Sequence, residues 1–207
     1  MYIKEKKVVS ILAFIIIFII VIFFLFNTYK KIKFGNNESN KSAEDIKKYI
    51  MNIESYTATI EVTVNSNKNT NKYLLKQEYS KNNIIKQTVI EPENIAGVEF
   101  EYKDGSLIIN NARFNLSKIY SNYPYVSDNI LWLSSFADCY KDNEEEAEVL
   151  EENNEVIIII NSKNNKYFVT RKLHLEKGTG KPLKMEIIDD NKNTIVYILY
   201  NEIAINK

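Results

Sequence analysis

The sequence is poor in the residues that most often do chemistry. Among 207 residues it has one cysteine, Cys139, and one histidine, His174. A lone cysteine cannot close an internal disulfide, and one histidine with one cysteine cannot supply a zinc tetrad. Cys139 also lies far from the N-terminus, so no cysteine stands where a bacterial lipid anchor is attached. Glycine is scarce, at five, and no phosphate-cradling glycine loop is present. There is no Gly-x-Ser-x-Gly elbow. His174 falls on the polar side of an alternating run with Lys172 and Glu176. It reads as an exposed histidine without a catalytic role, in preference to a general base. No cofactor and no metal are expected, and the chain reads as a non-enzyme.

Clustered positive charge is missing from most of the chain. Lys and Arg total 27, as do Asp and Glu, but residues 1–33 hold six Lys against one Glu. The remainder is therefore net acidic, which excludes the basic footprint of a nucleic-acid binder. Asp142 to Glu152 carries acids without matching cations. Its spacing fits no EF-hand, so it reads as a solvated loop or helix face rather than a calcium loop.

One long apolar run is present. Val8 to Phe26 is broken only by Ser10, and about 19 residues make a helix of roughly 28 Å, the thickness of a bilayer core. The run passes straight into Asn27-Thr28-Tyr29-Lys30 without small residues for a signal-peptidase cut, so it reads as an uncleaved anchor. Lysines flank both ends, and the free amino terminus tips the N-terminus inward. The organisation expected is an N-terminal anchor at 1–33, a linker at 34–41 and an extracytoplasmic domain at 42–207.

Within the domain, Ser42 followed by Asp45 predicts an N-cap. Ile46, Tyr49, Ile50 and Ile53 then form one helical stripe. Tyr56 to Val64 alternates as a strand. Lys72 to Asn110 predicts four strands in a meander, turning at Asn82-Asn83, at Pro92 to Gly97 and at Asp104-Gly105. Ser127 predicts the cap of a second helix through Ile130, Leu131, Trp132, Leu133, Phe136 and Ala137. This helix is apolar nearly all round and hence buried inside the curve of a sheet. Strands at Glu155–Asn161, Tyr167–Glu176, Leu183–Ile188 and from Thr194 onward close the chain. The fold class is α+β, a curved antiparallel sheet of about ten strands with two or three helices.

The segments Ile90-Glu91-Pro92-Glu93-Asn94-Ile95-Ala96-Gly97 and Thr179-Gly180-Lys181-Pro182-Leu183, with the order of elements around them, resemble the LolA-like lipoprotein-carrier superfamily. Within it, residues 42–206 are most similar to the clostridial germination protein GerS group. The resemblance implies an incomplete β-barrel with helices in its concave face. It implies a non-enzymatic, membrane-anchored binding protein of the spore envelope, the partner or activator of a cortex-modifying cell-wall amidase. The alternative is a carrier of lipid or lipoprotein acyl chains in that concave face. The residues expected to meet partner or ligand are Ile130, Leu131, Trp132, Leu133 and Phe136. Other expected partners are the membrane, through residues 8–26, and as a further option a second copy in a homodimer. Nucleic acid is not among them. A stress-sensor reading would need a cytoplasmic signalling segment, and residues 1–7 are too short for one.

Overall fold

The computed structural model describes residues 41–81, 84–123, 129–161 and 170–206. The Val8–Phe26 anchor, the turn at Asn82-Asn83, the Ser127 cap and residues 167–169 lie outside the described residues. Among the described residues no helix is long and apolar enough to cross a membrane.

Helix α1 (Ala43–Met51) opens the domain with a complete capping box. Ser42 Oγ accepts from the Asp45 backbone N–H, and the Asp45 carboxylate accepts from the Ser42 N–H, so two orphan helix donors are satisfied. Ile46 and Ile50 are fully buried. Strand β1 (Ser55–Asn65) follows, then β2 (Thr70–Ser80), β3 (Ile84–Glu91), β4 (Glu99–Lys103), β5 (Ser106–Asn111) and β6 (Leu116–Tyr120). Asp104 and Gly105 both take positive φ, +49° and +71°, as a tight β4–β5 hairpin needs. Helix α2 (Leu133–Asp142) comes next. Strands β7 (Glu148–Glu152), β8 (Glu155–Asn161), β9 (Thr170–Glu176), β10 (Pro182–Ile188) and β11 (Thr194–Ile205) complete the chain.

Among the described residues eleven strands form one open antiparallel sheet, in the order β6-β5-β4-β3-β2-β1-β11-β10-β9-β8-β7. The chain thus runs outward from β1 to one edge, crosses over through α2 to the other edge, and returns to pair β11 with β1. Alternate residues point to one inner face, where Tyr56, Ile60, Leu75, Leu173, Met185 and Ile198 join the two helices in a single core.

That face is curled. Between Tyr102 on β4 and Arg171 on β9 lie six strand spacings, about 29 Å in a flat sheet. Yet Asn129 Nδ2 reaches the Tyr102 hydroxyl at 3.1 Å, and the carbonyl of the next residue, Ile130, accepts from Arg171 Nη2 at 3.2 Å. Only a sheet rolled around the α2 region brings both side chains to neighbouring residues.

Three sequence expectations need correction. The second helix begins at Leu133, and Ile130–Trp132 approach it in non-helical backbone. Without those three residues α2 is amphipathic, burying Leu133, Phe136, Ala137 and Tyr140. The acidic stretch is neither loop nor helix face along its length, because Glu148–Glu152 pairs with β8 as an edge strand. Its acids are tolerated there because every residue of the strand is exposed. Finally, His174 is buried, at 8% exposure, although it lies on the outer face. Glu155 and Glu186, diagonal to it on the neighbouring strands, close over the ring.

Candidate binding face

The five residues singled out in the sequence all lie at the centre of the inner face, but at different depths. Trp132, Leu133 and Phe136 are buried, at 2%, 0% and 0% exposure, whereas Ile130 and Leu131 are half-buried. The Trp132 indole sits among three tyrosines. Its centroid lies 6.3 Å from that of Tyr56, 6.5 Å from Tyr79 and 6.4 Å, edge to face, from Tyr102. Aromatic pairs at such distances add to the energy of simple area burial.

Backbone polarity in this segment is satisfied by the sheet. Leu133 N–H, the first in α2, donates to the Tyr56 hydroxyl at 3.1 Å. Trp132, at the cap position, has no side-chain acceptor of its own, so a strand tyrosine takes the role of the N-cap. The Leu131 carbonyl accepts from Gln77 Nε2 at 3.2 Å, and the same amide group donates to Gln87 Oε1 at 3.0 Å.

Arg171 completes the arrangement. At 1% exposure it projects from β9 beneath α2. Its Nη1 donates to the Ser135 carbonyl at 3.2 Å and its Nη2 to the Ile130 carbonyl at 3.2 Å, while the guanidinium lies over the Phe136 ring at 5.4 Å. Burial lowers the Arg171 pKa, and the adjacent Cys139 acts in the opposite sense. Burial likewise pushes the hydroxyls of Tyr56 and Tyr200 upward. The sequence pattern puts Gln77 on one face with Tyr73, Leu75 and Tyr79, but Arg171 and Gln87 were not recognised as core residues. The signal was available in register: each stands two residues from apolar residues, as Arg171 does from Leu173, and residues two apart in a strand share a face.

The outer face holds a second polar cluster. His174 Nδ1 lies 2.7 Å from Glu155 Oε2 and its Nε2 lies 3.4 Å from Glu186 Oε1, which Lys184 Nζ also approaches at 3.3 Å. The three histidine and glutamate side chains tie β8, β9 and β10 together. Two open grooves, of about 320 and 220 Å³, share Thr57 and Ala204 in the middle of the sheet. Tyr56, Tyr79 and Ile203 line them beside Glu78, Lys76 and Glu202, so apolar and charged surface are mixed there. Among the described residues no group of three or more His, Cys, Asp or Glu could hold a metal ion.

The Thr179–Leu183 hairpin seats helix α1. Gly180 has φ +73°, and a Cβ placed on it would meet Ile46 at 3.4 Å. Thr179 Oγ1 donates to Glu176 Oε2 and accepts from the Lys181 N–H at 3.0 Å.

Comparison with solved structures places this architecture among known ones. One chain in the structure of the CwlD amidase from Clostridioides difficile in complex with the GerS lipoprotein is 26% identical. The match covers 77% of this chain and 91% of that one, with a TM-score of 0.49. An uncharacterized conserved protein from Thermus thermophilus is 11% identical over 81% of this chain and 89% of its own, with a TM-score of 0.51, and shares the fold. LolA superfamily protein NE2245 from Nitrosomonas europaea is 10% identical over 81% and 94%, with a TM-score of 0.40. Comparison with curated proteins gives no match. The family model described as sporulation protein YdcC-like matches residues 9–207, and the chain belongs to that family.

Proposed function

We propose that this chain is a non-enzymatic binding protein of the spore envelope that holds or activates a cell-wall amidase at the outer face of a membrane. Membership of a sporulation family supports the setting. The resemblance of Ile90–Gly97 and Thr179–Leu183 to the GerS group supports an amidase as the partner. The single observation that favours a protein partner over an acyl chain is the packing of the inner face. Trp132, Leu133 and Phe136 occupy the ground between strands and helix where a carried lipid would lie. In this reading Val8–Phe26 anchors the chain, the domain lies outside the cytoplasm, and Ile130 and Leu131 are the inner-face members that remain reachable.

The test is reconstitution. The full chain in detergent is mixed with the cortex amidase of the same cells, and complex formation and amidase activity on peptidoglycan are measured. Co-elution with raised activity supports the proposal. If the two proteins do not associate, while the chain binds a fluorescent fatty acid at one equivalent, the carrier reading replaces it.

A further inference from the structure

Much of the outer face neutralises its charges in place. Lys86 pairs with Glu99 at 2.8 Å, Lys184 approaches Glu186 at 3.3 Å, and Glu155 and Glu186 close over His174. The surface along β1 differs. Thr57 stands between Glu78 on β2 and Ala204 on β11, and Thr59 stands between Lys76 and Glu202. Short side chains in the middle and long ones at the flanks hollow the surface. The β1–β11 register also shifts after Thr59, and such a bulge bends the sheet and re-aims its side chains. The grooves of about 320 and 220 Å³ that share Thr57 and Ala204 form one hollow along this strand.

The hollow keeps its polar groups open. Among the described residues the side-chain hydroxyls of Ser55, Thr57, Thr59 and Ser80 make no hydrogen bond, and Glu202 has no ion pair. Lys76 is already held by Glu78 at 2.8 Å. Apolar surface comes from Ala204, Ile203 and the threonine methyl groups. Strand β1 is paired on both sides, so the hollow offers no backbone ladder to an added strand. A polyanion would meet Glu78 and Glu202 with the lining cation already engaged. An acyl chain would cover the methyl groups but leave the hydroxyls and Glu202 without partners. A pyranose ring answers both kinds of surface, with an apolar C–H face and a rim of hydroxyls that donate and accept.

We propose that this hollow binds a neutral sugar chain. The chain lies along β1, its C–H faces on Ala204 and the threonine methyls. Its hydroxyls donate to the Glu202 carboxylate and exchange hydrogen bonds with Thr57 and Thr59. From Ser55 to Thr59 the strand runs about 13 Å, enough for a short oligosaccharide. The site is on the outer face and does not rest on the amidase reading, which uses the inner one.

The test titrates the full chain with chitotetraose by calorimetry, in a zwitterionic detergent that has no sugar headgroup. Polygalacturonate serves as the acidic counterpart. Chitotetraose is expected to bind at one equivalent and polygalacturonate not to bind. Glu202→Ala removes the open acceptor and should weaken binding about tenfold, as loss of a hydrogen bond to a charged group does. Ala204→Leu fills the hollow and should abolish binding. Lys172→Ala, elsewhere on the outer face, should leave it unchanged. Melting points equal to wild type show that the variants fold. If Ala204→Leu melts lower, Thr57→Val reads the same site, since it keeps the shape, loses the hydroxyl and should weaken binding several-fold. Absence of chitotetraose binding overturns the proposal, as does binding that both Glu202→Ala and Ala204→Leu leave intact. Preference for polygalacturonate overturns it as well. Loss of sugar binding in these variants with amidase association intact separates this site from the partner reading.

Discussion

His174 Nδ1 stands 2.7 Å from Glu155 Oε2 across the β8–β9 pair. That contact turns a residue that looks like an exposed strand histidine into a buried strut of the outer face. His174→Ala should lower stability by on the order of 1 kcal/mol, the usual loss for a hydrogen bond between partly buried side chains. Chemical denaturation compares variant with wild type. A difference within about 0.5 kcal/mol, typical of an ordinary surface site, would return His174 to the exposed class.

Phe136 has no exposure and lies under the Arg171 guanidinium. Phe136→Ala should cost about 3–5 kcal/mol, as aromatic deletions from cores do. Melting is to be measured beside fluorescent fatty-acid uptake. An unchanged melting point with increased uptake would mean that this side chain lines a ligand space rather than filling a core.

Arg171 supplies donors to carbonyls on two separate residues, Ile130 and Ser135. Arg171→Met keeps comparable bulk but leaves those buried carbonyls without their donors, and should cost on the order of 3 kcal/mol. Arg171→Lys should rescue only part of it, since a single ammonium lacks the planar fork. Denaturation of both variants beside wild type decides the matter. An Arg171→Lys chain as stable as wild type would show that the fork is not used.

Gly180→Ala combines a left-handed backbone with a close approach to Ile46. The left-handed conformation alone costs a residue with a Cβ roughly 1–2 kcal/mol. The α1 amides should exchange faster with solvent in this variant, while those of β1 and β2 change little. Uniform exchange across the domain would contradict a local seat for the helix.

The capping box gives a pH dependence. Hydrogen bonds from Ser42 hold the Asp45 carboxyl below its usual value of 3.8. A folded pKa below the unfolded one means stability that is present above the unfolded value and lost as pH falls through the folded value. Asp45→Asn should therefore melt lower than wild type at neutral pH, and the gap should close in strong acid. A gap that persists there would place the effect on something other than the carboxylate.

The strands were legible in the sequence wherever one face was apolar. Tyr56–Val64 announces itself because a half-buried strand must alternate, and Glu155–Asn161 by its unbroken apolar run Val156–Ile160, both of them local properties. The α1 cap was legible for the same reason, since Ser42 and Asp45 are three residues apart. The α2 cap was not. Trp132 has no capping side chain, and the acceptor comes from Tyr56, 77 residues before Leu133. Likewise β6 and β7 were missed, because every residue in them is exposed and no burial pattern is imposed on their sequence. The five inner-face residues were recognised as a group by their apolarity. Sequence alone could not divide them into the buried Trp132, Leu133 and Phe136 and the half-buried Ile130 and Leu131. Depth depends on which strands the curled sheet brings around them, and that is decided by pairings such as β1 with β11 between the two ends of the domain. Local order follows from local spacing, whereas caps, edges and depth follow from contacts between residues far apart in the chain.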